Sequence, residues 1–371
     1  MIVGIPTEVK DHEYRVAATP EGAREITHAG HRVVVQAGAG NGSAIADEHY
    51  VVAGATILPD ADAVFAEADL IVKVKEPQPQ EYERFRPGQL LFTYLHLAAD
   101  AELTAFLVDR SVTAIAYETV QAPDGRLPLL APMSEIAGRM APHVAAGWLE
   151  RTRGGRGVLM GGAAGVAPAT VVVLGAGMAG GNAAWIAAGM EATVSVVDRN
   201  VERLRLVDQI WRGRIHTVAS SSLAIEELVL GADVVVGAVL VPGAKAPHVV
   251  SAEMVAAMRS GAVLVDISID QGGCFETSRM TTHSDPTYVV DDVVHYCVGN
   301  MPGAVPRTST YALTNVTLPY LAQLATLGLR DAVRADPALA LGVNVHEGSV
   351  TNPGVAAAHD LPVTPLDTLL V

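Results

Sequence analysis

The stretch from Val171 to Asp198 reads VVVLGAGMAGGNAAWIAAGMEATVSVVD. An apolar, β-branched run leads into Gly175, Gly177 and Gly180, spaced as G-x-G-x-x-G. A small-residue helix pattern, a second β-branched run and a carboxylate follow. Each part has a physical task in holding a dinucleotide. Gly175 permits a tight strand-to-helix turn, Gly177 lets the backbone approach a pyrophosphate, and Gly180 lets the helix pack on the strand. The first N–H groups of that helix have no intrahelical partner and face the phosphates. Asp198 stands where a carboxylate accepts hydrogen bonds from the adenosine ribose hydroxyls. A glycine-rich turn alone is common in purely structural settings. Strand, helix, second strand and acid together favour a dinucleotide site.

In open parallel sheets, ligands gather beyond the carboxyl ends of the strands. Applied along the chain, that rule selects Lys73 and Lys75 after LIV, His96 after LLFTYL, and Glu118 after TAIAY. In the second half it selects the Gly175 turn, Asp198, Val239–Leu240, Ile267–Asp270 and Val298–Met301. If two such surfaces face each other, Lys75, His96 and Asp270 meet across a cleft beside a nicotinamide. Each residue also has a plainer reading. Lys73 and Lys75 alternate along a strand and share one side, so either could reach solvent or pair with Glu76. His96 could be a hydrogen-bonded core histidine, and Asp270 in IDQGG could cap a turn. Arg15, in VKDHEYRVAATPEG, could be an ordinary exposed arginine.

The elements that must position these residues follow from hydrophobic patterning. MIVGIP, HRVVVQAG, ADLIVKVKEP, GQLLFTYLHL and VTAIAYETV are β-rich apolar runs, separated by helix-like segments such as PEGAREITHAG and DAELTAFLVDR. Continuous apolar strands alternating with helices predict a parallel sheet covered on both faces. A second alternating region has strand candidates at 171–175, 193–198, 233–239, 262–267 and 287–290. Between the regions, a long helix starts near Ser134, with Pro142 set to kink or split it. After Pro306 the pattern becomes helical again, with TSTYALTNVTLPYLAQLATLGL and then DAVRADPALALGV. The fold class is therefore α/β, with two Rossmann-like doubly wound domains and a cleft between them. A helical tail is not needed to complete the second sheet. The economical division is a discontinuous first domain, 1–130 plus 305–371, around a dinucleotide-binding domain, 131–304.

At 371 residues, half of them hydrophobic and 18% charged, the chain can bury two cores. A formal net charge of −15 without a basic stripe excludes nucleic acid as a partner. The low charged fraction leaves room for an apolar subunit interface. No apolar run reaches membrane-spanning length and no basic-then-apolar leader opens the chain, so no membrane partner and a cytoplasmic setting are expected. The two cysteines, Cys274 and Cys297, suit small core residues better than a disulfide. Without CxxC or HExxH spacing, no metal is expected.

The chain resembles the bacterial alanine dehydrogenases of the alanine dehydrogenase/pyridine nucleotide transhydrogenase family over essentially its full length, and most of all their actinobacterial members. The segments that carry the resemblance include GIPTEVKDHEYRVAATPEG, DLIVKVKEP, LFTYLHLA, LLAPMSEIAGR, RGVLMGG, VVLGAGMAG, GAVLVDISIDQGGCFE and CVGNMPGAVPRTSTYALTN. The resemblance implies NAD as cofactor, L-alanine, pyruvate and ammonium as substrates, and a homohexamer. It assigns Arg15 and Lys75 to substrate binding, and His96 and Asp270 to the acid–base pair. On the cofactor side it points to Ser134, Met178, Ala179, Asp198, Arg203, Ser220, Val239, Leu240, Ile267, Ser268, Ile269, Asp270, Arg279, Val298, Gly299, Asn300 and Met301.

The implied chemistry suits these residue types. A guanidinium binds a carboxylate in bidentate fashion. A lysine polarises a carbonyl oxygen, and a histidine gives or takes protons near neutral pH. A carboxylate at 198 disfavours a 2′-phosphate and selects NAD over NADP, with Arg199 beside it as the residue that could soften that choice. Three rivals remain at this stage: a piece of a proton-translocating transhydrogenase, a saccharopine-type dehydrogenase, and a non-catalytic NAD-binding subunit. The joint presence of Arg15, Lys75, His96 and Asp270 argues against the last.

Overall fold

A computed structural model describes residues 1–239 and 246–370. The chain divides into two compact units. One comprises Met1–Met133 together with the chain from Gly303 to its end, and the other comprises Ser134–Pro302.

The first unit is built on strands β1 (Ile2–Ile5), β2 (Arg32–Gln36), β3 (Thr56–Leu58), β4 (Leu70–Val72), β5 (Leu90–Thr93) and β6 (Thr113–Ala116). The six lie parallel in the order β3-β2-β1-β4-β5-β6. Strand order reverses direction between β1 and β4, which makes that gap the topological switch point. Val34, Ile71, Leu91 and Ala114 are fully buried and share one core with Phe65 and Leu103 from covering helices and with Phe85.

The second unit repeats the plan with β7 (Thr170–Leu174), β8 (Thr193–Asp198), β9 (Ile215–Ala219), β10 (Val234–Gly237), β11 (Val263–Asp266), β12 (Thr287–Val290) and β13 (Val293–Tyr296). Its order is β12-β13-β11-β10-β7-β8-β9, parallel except for the β12–β13 pair, with its switch point between β7 and β10. Alternate valines of β7 face opposite ways. Val171 and Val173 pack against Ala183, Ala184 and Ala187, while Val172 joins Val235 and Leu264 on the other face.

Two expectations about elements are corrected. The C-terminal tail is not wholly helical: β14 (Val343–His346) and β15 (Ser349–Val350) extend the first sheet, β14 antiparallel to β6. The two-residue turn between them, Glu347–Gly348, has positive φ at both positions, +48° and +70°, which suits a tight hairpin. Pro142 does not split its helix, which runs from Ala131 to Trp148. The long helical stretch Pro306–Ala335 breaks instead at Gly328, whose φ of +71° and ψ of +169° are non-helical.

Candidate active site

In the second unit, the glycine-rich turn does what its spacing implies. Gly175 has φ +106°, and a Cβ there would lie 2.5 Å from the Ala238 carbonyl oxygen just beyond β10. The strand exits on both sides of the switch point therefore touch. A Cβ on Gly180 would fall 1.8 Å from the Gly175 carbonyl oxygen, so only glycine lets the helix Met178–Gly189 start this close to the strand. Gly177 differs: a Cβ there would meet only Arg203 Nη1, at 3.9 Å. The protein itself leaves space at Gly177, where a closely approaching ligand would need it. No side chain caps the helix at Gly177, which leaves its first N–H groups for an anion.

Asp198 ties β8 to this turn. Its Oδ2 accepts the Ala176 N–H at 2.6 Å and its Oδ1 accepts the Asn200 N–H at 2.7 Å. Arg203 Nη1 lies 3.9 Å from Oδ2, and the Ser220 N–H donates to the Asp198 carbonyl at 3.0 Å. The turn, Asp198, Arg203 and Ser220 thus gather at the carboxyl ends of β7, β8 and β9. Met178 is exposed, and Ala179 and Ser134 are half-buried.

Across the switch point, the Ser268 hydroxyl donates to the Val239 carbonyl at 2.8 Å. Leu240 lies outside the described residues. A short 3-10 turn, Ile267–Gln271, is organised by buried Asp266, which accepts the N–H groups of Ser268 and Cys274, both at 2.9 Å, and the Ser278 hydroxyl at 2.5 Å. Burial pushes the Asp266 carboxyl above its usual range, although these donors oppose the shift. Asp270 is exposed, and both its oxygens accept the Asn300 N–H, at 3.3 and 3.4 Å. It thereby joins the Ile267, Ser268 and Ile269 turn to the Val298, Gly299, Asn300 and Met301 segment. Turn capping and surface presentation coexist at Asp270. Exposed Arg279 stacks its guanidinium 4.0 Å from the centre of the Tyr288 ring. Both cysteines are buried and free.

Gly138 escaped the sequence reading. On the long helix, a Cβ at that position would lie 2.1 Å from the Ala179 carbonyl, so the helix rests directly on the start of the nucleotide-turn helix. A glycine inside a helical pattern costs roughly 1 kcal/mol relative to alanine, and that was the available signal.

In the first unit, the ambiguity between the two lysines resolves. Neither lies on a strand, because β4 ends at Val72. Lys73 is fully buried and its Nζ pairs with Glu8 at 3.1 Å and Glu81 at 2.9 Å. Burial alone would discharge Lys73, but the two carboxylates outweigh it and raise its pKa. The Lys75 ammonium makes no hydrogen bond or ion pair among the described residues. Burial opposes ionisation of its neighbour Glu76, yet Lys75 and Lys10 outweigh it and hold that carboxyl below the usual range.

Arg15 is not an exposed arginine. It is 2% exposed, and Glu13 grips its Nε and Nη2 at 2.6 and 2.5 Å, while Nη1 lies 2.9 Å from Met133 Sδ. Burial disfavours the guanidinium charge and Glu13 more than restores it. A cavity of about 400 Å³ opens beside this pair, lined by Thr7, Glu8, Lys10, Glu13, Arg15 and Gly42 among others. His96 is not a core histidine either. It is exposed just past β5, in left-handed conformation (φ +53°, ψ +34°), with its ring stacked on that of Tyr94 at 6.0 Å. Buried Tyr94 is fixed in turn by donating its hydroxyl to the Leu129 carbonyl at 2.6 Å.

Comparison with known proteins gives the family. Residues 4–137 match the family described as Alanine dehydrogenase/PNT, N-terminal domain, and residues 141–353 match its C-terminal domain. The chain belongs to the alanine dehydrogenase/PNT family. It is 60% identical to an alanine dehydrogenase of Mycolicibacterium smegmatis over 364 residues, 98% of each chain. A solved L-alanine dehydrogenase superposes with a TM-score of 0.94 at 49% identity, covering 97% of this chain and 99% of that one. A transhydrogenase from Sinorhizobium meliloti superposes less closely, with a TM-score of 0.80 at 26% identity over 95% and 99% of the two chains. The family membership and these identities favour the alanine dehydrogenase branch over the transhydrogenase one.

Proposed function

We propose that this chain catalyses the reversible, NAD-dependent oxidative deamination of L-alanine to pyruvate and ammonium. The observation that carries the reading is the set of ionic side chains in the segments that follow strands of the first unit: buried Arg15, buried Lys75 without an ion pair, and exposed His96 held left-handed. Arg15 is paired with Glu13, but a merely structural lysine and histidine would be buried and paired, as Lys73 is with Glu8 and Glu81. The discontinuous unit is the substrate domain and Ser134–Pro302 the NAD-binding domain.

When bound, NAD supplies the hydride acceptor. The chain's residues do the rest. Arg15 holds the alanine carboxylate, with Glu13 fixing the plane of its guanidinium. Lys75 donates to the oxygen at the substrate's carboxyl end and polarises it. The amino group must be neutral before hydride leaves Cα, and the resulting iminium must then take up water and release ammonia. His96 and Asp270 carry those protons. The first turn of the helix at Gly177 receives the pyrophosphate, and the Asp198 carboxylate favours NAD over NADP, since a 2′-phosphate beside it meets a like charge.

No helix among the described residues is long and apolar enough to cross a membrane, and no group of three or more potential ligands could hold a metal. A cytoplasmic homohexamer acting on small molecules fits the cysteine usage and the family. Spectrophotometry of NADH tests the function directly. Formation with L-alanine and NAD, and consumption with pyruvate plus ammonium, are the expected outcomes. Absence of both, or a higher kcat/KM with NADP than with NAD, overturns the corresponding part.

A further inference from the structure

We propose that Glu8 and Glu118 are positioning residues that hold Lys75 and His96 by their backbones. The inference rests on the roles given above to Lys75 and His96. Each glutamate lies shortly past the end of a strand, β1 for Glu8 and β6 for Glu118, and reaches the exit of the neighbouring strand. Each sets its carboxylate against two successive backbone N–H groups there, and the second belongs to the site residue itself. Glu8 Oε1 accepts from Val74 at 2.6 Å and its Oε2 from Lys75 at 3.4 Å. Glu118 accepts from Leu95 with both oxygens at 3.2 Å, and its Oε1 accepts from His96 at 2.6 Å.

Successive N–H groups converge on one anion only where the chain leaves extended geometry, and they bind it as a concave nest. At His96 this coincides with a left-handed residue that is not glycine, a conformation that persists only where surroundings impose it. Glu118 is that surrounding. Bonds to an ionised acceptor are shorter and stronger than neutral ones, which suits a clamp on a strained residue. Glu8 has a second duty in its ion pair with Lys73, so the 73–75 segment is held by side chain and backbone together.

The test compares variants of the full-length protein with the wild type. Glu118→Ala should lower kcat by about tenfold or more, because misplacement of a catalytic group by ~1 Å can cost about a hundredfold. KM for NAD should stay within about twofold. Glu118→Gln retains an acceptor for both N–H groups and should recover most of the loss, with an unshifted pH–rate profile. For Glu8, Glu8→Ala removes the carboxylate while Glu81 keeps the buried Lys73 ammonium paired at 2.9 Å. This variant should raise KM for alanine about fivefold or more while changing kcat less. Hydrogen exchange of peptides spanning 74–75 and 95–96 should quicken in the corresponding variant alone. That readout holds even if the wild type shows no alanine-dependent turnover, which would sink the functional reading and leave the clamps standing. Unchanged exchange in both variants overturns the clamps. So does wild-type kcat in Glu118→Ala, or a Glu118→Gln variant as slow as Glu118→Ala with a shifted pH profile.

Discussion

Two regions of this molecule share one topology and use it in opposite ways. Strands run β3-β2-β1-β4-β5-β6 in the first unit and β9-β8-β7-β10-β11-β13 in the second, each with its switch point between the first and fourth strand of the series. At the first switch point the exits carry ionic side chains: Glu8 after β1, Lys73 and Lys75 after β4. At the second they carry backbone, with the Gly175 turn against Ala238 and uncapped N–H groups at Gly177. The sheet decides where a ligand is met, and the residues just past it decide what is done there. A backbone site grips a ligand common to many reactions, whereas a side-chain site gives and takes protons.

The sharpest way to break this comparison is to remove the two proposed proton carriers. His96→Ala and Asp270→Asn should each lower kcat by roughly 10²–10⁴-fold, the usual worth of a general acid or base. Affinity for NADH, measured by fluorescence titration, should barely change. A variant with near-wild-type turnover removes that residue from the mechanism. Loss of NADH binding in His96→Ala would deny the division of labour between the units.

The lysine pair separates fold from chemistry within the first unit. Lys73→Ala leaves Glu8 and Glu81 buried beside each other without a cation and should cost about 3–5 kcal/mol in chemical denaturation. Lys75→Ala breaks no ion pair and should unfold within ~1 kcal/mol of the wild type while raising KM for alanine strongly. Equal stability losses in the two variants would erase the distinction drawn from their contacts.

The glycines make the same division in the second unit, with smaller effects. Gly180→Ala forces a Cβ to within 1.8 Å of a carbonyl oxygen and should destabilise the unit by ~2–3 kcal/mol, NADH affinity falling with it. Gly177→Ala meets nothing closer than 3.9 Å, so its midpoint should hold within ~0.5 kcal/mol while NADH binds about tenfold more weakly. A stable Gly177→Ala protein with intact NADH affinity would show that the position needs no glycine.

The same contrast explains what was legible in the sequence. A backbone site must be contiguous, so the second unit wrote its function into 28 consecutive residues, Val171 to Asp198. A side-chain site draws on several strand exits, and its members sit among ordinary-looking neighbours. The carboxyl-end rule located Lys75 and His96, but choosing between Lys73 and Lys75 required Glu8, distant in sequence. Arg15 looked exposed because its segment is polar; its burial depends on Glu13, two residues away, and on Met133, 118 residues away. The resemblance to a family supplied the roles that spacing left open. In the tail, the apolar run ALALGV read as helix through Val343. The turn residues Glu347–Gly348 between NVH and SV were the overlooked sign of a hairpin. Gly138 was hidden for a different reason, since its partner is a backbone carbonyl that no pattern announces.

The smallest expected effect concerns the acid limb of stability. Glu76 carries a carboxyl below its ordinary value of 4.5: burial pushes it up, but Lys75 and Lys10 together prevail. A carboxyl lowered by folding contributes stability that is fully present above the unfolded value and is lost as pH falls through the folded one. Glu76 should therefore stabilise the first unit at neutral pH and cease to do so below its depressed pKa. Glu76→Gln removes that dependence, so the gap between the two denaturation midpoints should be largest near pH 7 and narrow on acidification. A gap that widened toward low pH would mean that burial outweighs the two lysines.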